Sequence, residues 1–173
     1  MEFSKMILPN NKSYYKNVGS IARLINYTLA PGKSYYDGKF LKKVHYCASN
    51  CVDISTTYSA VCQIKAIKQF YDKLDGRQMY HYILSFPSSV QAPHKVYEIG
   101  MEIMHTFFKD YQTVFAVHED TDNLHIHFVF NSVSYVTGKK WCPKYKEFYR
   151  LKEAVEHMAD SHFFRNDISV LLK

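Results

Sequence analysis

Long apolar runs, glycine, proline and cysteine are all scarce in this sequence, and each shortage excludes something. No uninterrupted apolar stretch approaches the ~18–20 residues that cross a bilayer. The opening segment MEFSKMILPNNK also lacks the long apolar core of a signal peptide, so the chain reads as soluble and cytoplasmic. Six glycines and five prolines in 173 residues stand singly between elements, which excludes low-complexity tracts and internal linkers and favours one domain over residues 1–173. The four cysteines are Cys47, Cys51, Cys62 and Cys142. Cys47 and Cys51 have a metal-like spacing, but no second Cys/His pair nearby completes a structural zinc site, so unpaired thiols are expected. Acidic residues are outnumbered, 16 against 22 basic, for a net charge of +6. That excess suits a phosphate-bearing partner without identifying one.

What the sequence has in quantity is core-forming material, 47% hydrophobic and 16% aromatic residues, enough to offset the ordering entropy that keeps polar chains disordered. Residues 3–8 read as a strand and residues 10–13 as a turn. Ser20 is placed to cap a helix from Ile21, with Ile21, Leu24, Ile25 and Thr28 on its apolar face and Pro31-Gly32 as its stop. Tyr27 falls off that face, four residues after Arg23, so both side chains can serve one surface. A strand over 41–48 precedes a helix over 57–74, with Val61, Ile64, Ile67, Tyr71 and Leu74 inward. Residues 79–86 alternate as a strand, with His81, Ile83 and Ser85 on one side. Pro93 opens a helix to about residue 111. Residues 113–117 and 124–133 then form an antiparallel hairpin, followed by a helix over 145–159 and a terminal strand over 168–172. The expected class is α+β, with helices packed on a largely antiparallel central sheet.

The chemistry concentrates in His118-Glu119-Asp120-Thr121-Asp122-Asn123-Leu124-His125-Ile126-His127. On a strand, His125 and His127 point to one face with Cα atoms ~6–7 Å apart, which two imidazoles span to reach one ion. His118 ends the preceding strand, and the hairpin folds it back beside them. Three imidazoles with open coordination positions suit a Lewis acid better than a closed structural metal. Asp120 has two readings, turn chemistry or orientation of a ligand imidazole, whereas Asp122 reads as turn chemistry. Asn131, on the same face two pleats beyond His127, either lines the site or serves the fold.

The spacing from His118 to His127, followed by Phe128-Val129-Phe130-Asn131-Ser132-Val133, resembles the three-histidine motif of mobilization relaxases, DNA nickases of the HUH type, and in particular the Mob-P class of Gram-positive integrative and conjugative elements. Asn26-Tyr27-Thr28-Leu29-Ala30-Pro31-Gly32-Lys33 is similar to that family's nucleophile segment, and Tyr80-His81-Tyr82-Ile83-Leu84-Ser85-Phe86 to its middle motif. The run 131–135 with Gly138-Lys139-Lys140 also agrees, so the likeness extends over residues 20–160. It implies an endonuclease that nicks one strand at a transfer origin, by attack of a tyrosine on a phosphodiester. The product is a 5′-phosphotyrosyl protein, and the reaction serves conjugative mobilization.

By that resemblance Tyr27 is the expected nucleophile among fifteen tyrosines. The pairs Tyr35-Tyr36 and Tyr14-Tyr15 of this chain are the rivals, because some related nickases place their nucleophiles in tyrosine pairs, and Tyr36 is the fallback. Arg23 would help the phenolate form, and Ser85 would contact a DNA phosphate. His81 reads as a core or hydrogen-bonded histidine rather than a fourth ligand. Lys33, Lys39, Lys42, Lys43, Lys139, Lys140, Lys144 and Lys146 are expected in two loops flanking the site, interleaved with Tyr35, Tyr36, Trp141 and Tyr145, a mixture suited to single-stranded DNA. The ion is a divalent cation. Magnesium or manganese suits phosphodiester chemistry, while zinc, nickel or copper suits imidazoles. The implied partners are single-stranded origin-of-transfer DNA, accessory DNA-processing proteins and the coupling proteins of type IV secretion. The regions that usually follow this domain in the family are absent from the 173 residues. Competing readings are a replication-initiation or transposition nickase of the same type, and a non-catalytic, metal-stabilised DNA-binding module.

Overall fold

The strand carrying His125 and His127 is apolar or buried at every position, and that places it at the centre of the molecule. In the computed structural model this strand, β7 (His125–Ser134), is buried along its whole length. The structure describes residues 5–7, 16–29, 33–36, 39–42, 44–119 and 122–171, with side chains described for residues 6, 16–29, 44, 46–119 and 122–162. The other elements are β1 (Lys5–Ile7), α1 (Gly19–Leu29), β2 (Lys33–Tyr36), β3 (Lys39–Lys42), β4 (Val44–Asn50), α2 (Thr57–Phe70), β5 (Met79–Ser85), α3 (Pro93–Phe107), β6 (Tyr111–His118) and α4 (Tyr145–Leu171). Five strands form one sheet in the order β1-β5-β7-β6-β4, while β2 and β3 pair separately. Every pairing is antiparallel.

Alternation along the strands divides the core into two layers of side chains. On one face Met79, Val114 and Val129 pack against Ile21, Leu24 and Ile25 of α1 and Ala60 and Ile64 of α2. On the other, Tyr82, Leu84, Phe115, Phe128 and Phe130 meet Val96, Ile99, Ile103 and Met104 of α3 and Val155 and Ala159 of α4. Each such side chain contributes roughly 1.5–3 kcal/mol on burial, so the sheet is clamped from both sides. The result is the expected α+β architecture, in three layers. Among the described residues no helix is long and apolar enough to cross a membrane.

Several boundaries differ from the sequence reading for local reasons. α1 starts at Gly19, and its cap is Asn17 rather than Ser20. Asn17 Oδ1 accepts from the Ser20 amide at 3.0 Å, and the Ser20 hydroxyl donates to the Asn17 carbonyl at 2.6 Å. α2 stops at Phe70 because Asp72 takes a left-handed φ of 52°, which leaves Leu74 exposed instead of inward. The single strand expected over 41–48 is two strands, β3 and β4, and β3 pairs with β2 as a hairpin. The terminal strand over 168–172 is not formed, since α4 continues to Leu171. No glycine or proline lies between Ala159 and Ile168 to interrupt the helical hydrogen bonds, and the alternation of Ile168 and Val170 alone is too short to oppose them. The turn expected over 10–13, and Pro31-Gly32, lie outside the described residues.

Candidate metal and nucleophile site

The β6–β7 hairpin sets His118 directly opposite His125, with His127 opposite Ala116. All three imidazoles therefore emerge on the face covered by α1. Their ring centroids are 5.5 Å apart for His118 and His125, 4.4 Å for His118 and His127, and 4.9 Å for His125 and His127. One nitrogen from each ring lies within 4.8 Å of the other two. At Zn–N distances of ~2.0–2.1 Å, three nitrogens around one ion must lie closer than ~4.2 Å to each other, so small rotations of the rings close the set. The donors fit a divalent cation.

Hydrogen bonds decide which nitrogen each ring can offer. A carbonyl only accepts, so His118 Nε2 donates to the Thr28 carbonyl at 2.9 Å. His125 Nδ1 likewise donates to the Asn123 carbonyl at 3.0 Å. That leaves His118 Nδ1 and His125 Nε2 to serve the ion. His127 Nδ1 lies 2.7 Å from Nε2 of His81 on β5, which directs His127 Nε2 to the cluster. Carbonyls and a fourth imidazole thus orient the ligands. Asp120, one of the candidates for that work, lies outside the described residues. His81 itself is 7% exposed, and burial, followed by the neighbouring His118, pushes its imidazole down to about 4.

Tyr27 lies above this cluster. Ile21, Leu24, Ile25 and Thr28 are buried beneath α1, which turns Tyr27 sideways over the histidines. Its ring centroid is 5.2 Å from that of His127 in an edge contact, 6.1 Å from His81 and 6.2 Å from His118. It remains 45% exposed, so one side meets imidazoles and the other is open to an incoming strand. Arg23 is an exposed residue one turn earlier on the same helix. Ser85 is paired with His125 across β5 and β7 and is half-buried.

The remaining candidates fall elsewhere. The β2–β3 hairpin begins four residues after Leu29, and the chain rejoins the sheet at Val44, opposite His118. Lys33 and Tyr36 are therefore rooted by backbone at the histidine end, and their side chains lie outside the described residues. Lys139 and Lys140 do not flank the site. They follow the far end of β7, and the seven residues from His127 to Ser134 span about 23 Å at a strand's rise. Lys140 instead donates to the Asp75 carbonyl in the α2–β5 connection. Asn131 serves the fold: its amide donates to Ile64 and Gln112 at 3.2 and 2.9 Å, and its oxygen accepts from the Val133 amide at 3.0 Å. The sequence reading missed the Thr28 and Asn123 carbonyls, which no side-chain pattern announces.

Comparison with known proteins agrees with this geometry. Residues 35–163 match the family described as relaxase, MobA/VirD2-like, nuclease domain. The matched segment holds the three histidines and begins after Tyr27. The chain is 31% identical over 115 residues to a protein named rlx from Staphylococcus aureus, covering 66% of this chain and 34% of that protein. It is 30% identical over 91 residues to protein TraI of Escherichia coli, 51% and 12% of the two chains. It is also 36% identical over 64 residues to the group II intron-interrupted relaxase LtrB of Lactococcus lactis, 36% and 11% of the two chains. The chain thus spans about a third of the length of rlx. A solved structure presented as the molecular basis of vancomycin resistance transfer in Staphylococcus aureus superposes with a TM-score of 0.62. Its sequence is 11% identical, and the match covers 96% of this chain and 94% of that one.

Proposed function

The chain belongs to the relaxase family as a MobA/VirD2-like nuclease domain, and on that premise we propose that it nicks one strand of origin-of-transfer DNA through Tyr27, for conjugative mobilization. The observation that carries this reading is the Tyr27 ring, edge-on at 5.2 Å to His127 and open to solvent on its other side. His118, His125 and His127 would hold a divalent ion, which when bound would supply Lewis acidity toward the scissile phosphate.

The chain's own residues do the rest. The Tyr27 oxygen attacks phosphorus in line as its proton leaves. A new tyrosyl–phosphate bond forms, the bond from phosphorus to the 3′ oxygen breaks, and that oxygen takes a proton. One phosphodiester replaces another of similar energy, so the same tyrosine supports rejoining. Tyrosine's ordinary pKa near ~10 makes it a weak nucleophile at neutral pH. The Arg23 guanidinium, one turn away, lowers the cost of the phenolate and of the approaching phosphate. The Ser85 hydroxyl beside His125 donates to a neighbouring phosphate. The β2–β3 hairpin, carrying Lys33, extends the contact along the strand. Tyr36, on the same hairpin, is the alternative nucleophile.

Three imidazoles favour zinc, nickel or copper by affinity, while magnesium or manganese suits the phosphate chemistry. Accessory DNA-processing proteins and a type IV secretion coupling protein are the partners this activity calls for. Residues 1–173 act as one nickase domain. The test is a single-stranded oligonucleotide spanning a cognate transfer origin, incubated with the protein and manganese. A covalent protein–DNA adduct that is absent with chelator and absent for Tyr27→Phe supports the reading. An adduct retained by Tyr27→Phe but lost by Tyr36→Phe transfers the role to Tyr36.

A further inference from the structure

His81 lies outside the set of three ligands, yet it is built into their geometry. β5 pairs with β7 so that His81 is opposite Val129 and Ile83 is opposite His127. His81 is thus diagonal to His127 on the same face, within the ~7–8 Å separation that long side chains bridge. The two rings are 5.0 Å apart, tilted by 31°, with Nε2 of His81 at 2.7 Å from Nδ1 of His127. His127 is 2% exposed and His81 7%, and the Tyr27 ring approaches both, at 5.2 and 6.1 Å. The same group of three rings therefore contains a proposed nucleophile, a proposed ligand and the partner of that ligand.

We propose that His81 is a positioning residue of the metal site: its Nε2 accepts the Nδ1–H of His127 and thereby fixes the tautomer in which His127 offers Nε2 to the ion. The direction follows from the other two ligands. His118 and His125 each donate one ring N–H to a carbonyl. The corresponding bond of His127 ends on the side chain of His81. Were His127 Nδ1 the acceptor, its proton would sit on Nε2, and the nitrogen facing the cluster could not ligate. Partners of this kind raise ligand basicity and fix ring orientation, and their loss costs about 10–100-fold in metal affinity. A neutral imidazole does this without adding negative charge beside the ion, so more of the ion's charge remains for a phosphate than a carboxylate partner would leave.

The proposal rests on the metal reading of His118, His125 and His127, and its test uses no DNA, so nicking does not enter it. The full chain is labelled with ¹⁵N-histidine, and long-range proton–nitrogen spectra assign the His127 tautomer. Manganese and zinc affinities are then measured by calorimetry for wild type, His81→Phe and His81→Gln. The expected result is His127 protonated on Nδ1 in the metal-free wild type. Affinity should fall 10–100-fold in His81→Phe and recover to within a few-fold of wild type in His81→Gln, whose amide oxygen accepts the same proton. A purely structural role for His81 would not give that recovery. Wild-type His127 protonated on Nε2 overturns the proposal, as does a His81→Phe protein with unchanged affinity. If neither variant folds, the wild-type spectrum decides alone. A wild type that binds neither ion overturns the metal reading and this proposal together.

Discussion

The Thr28 carbonyl accepts a hydrogen bond from His118 Nε2 at 2.9 Å, so the residue after the proposed nucleophile orients a proposed metal ligand. Helix α1 and strand β6 are joined at the point where chemistry is expected. In the proposed mechanism this link between α1 and β6 would hold the Tyr27 oxygen in register with a bound phosphate.

Replacing Tyr27 by Phe removes one oxygen from a side chain that is 45% exposed. The expected change in stability is within about 0.5 kcal/mol, while nicking of an origin strand falls by more than about 10³-fold. Divalent-ion affinity stays within a few-fold of wild type, because the phenol is not a ligand. Adduct formation on a denaturing gel, with a thermal melt as control, checks all three. An unchanged yield of adduct would remove Tyr27 from the mechanism.

Ion binding is expected to stabilise the fold, since the three donors come from two strands of the central sheet. At about 100 times its Kd an ion adds about 2.7 kcal/mol, which for a chain of this size raises Tm by roughly 5–10 °C. Chelator reverses that rise. His125→Ala and His127→Ala abolish it, so their melting temperatures become insensitive to manganese or zinc. Scanning calorimetry with and without ion is the measurement, and a wild-type Tm that ignores the ion contradicts the assignment of the cluster.

The legible part of the site was the part carried by period two. His125 and His127 share a face because strand side chains alternate, and a short polar turn sufficed to bring His118 opposite them. Relations that depend on register between distant strands were not legible. His81 is 46 residues from His127 in the chain, and only the pairing of β5 with β7 makes them neighbours. Lys139 and Lys140 follow the ligands closely in sequence, yet the ten-residue length of β7 carries them to the opposite end of the sheet. Fold class followed from the alternation of strand and helix patterns. Helix ends did not, because the Asn17 side chain caps α1 from two residues before its start, and Asp72 ends α2 through a left-handed φ.

Gly100 on α3 marks a close approach to the sheet. A Cβ there would lie 2.6 Å from Cε2 and 2.9 Å from Cζ of Phe115. That ring is held between Tyr97 and Phe128, at 5.6 and 5.4 Å, and has little room to yield. Alanine gains about 1 kcal/mol over glycine in helix propensity, but overpacking costs about 1–3 kcal/mol. Gly100→Ala is therefore expected to lose up to about 2 kcal/mol by urea denaturation, with nicking per folded molecule unchanged. A variant more stable than wild type would show that α3 can shift outward.

Lys68 is fully buried between α2 and β7, where its Nζ donates to the Ser132 hydroxyl at 2.9 Å, and that hydroxyl donates to the Arg77 carbonyl at 2.6 Å. Burial, and then the charge of Lys140, pushes the Lys68 ammonium down from 10.5 to about 7. Between those values the unfolded chain holds a proton that the folded chain has released. Stability must therefore rise with pH across that window and be lost as pH falls through about 7. One group contributes ~1.4 kcal/mol per pH unit at most. In Lys68→Met the apolar replacement keeps the volume and removes the titration. Urea unfolding of both proteins from pH 7 to 10 should give a wild-type curve steeper by about 1 kcal/mol per unit. The Ser132 hydroxyl keeps its bond to Arg77 in the variant, so the core polar group left behind remains satisfied. Parallel curves would mean that Lys68 stays protonated in the folded state, with water or a counter-charge reaching it.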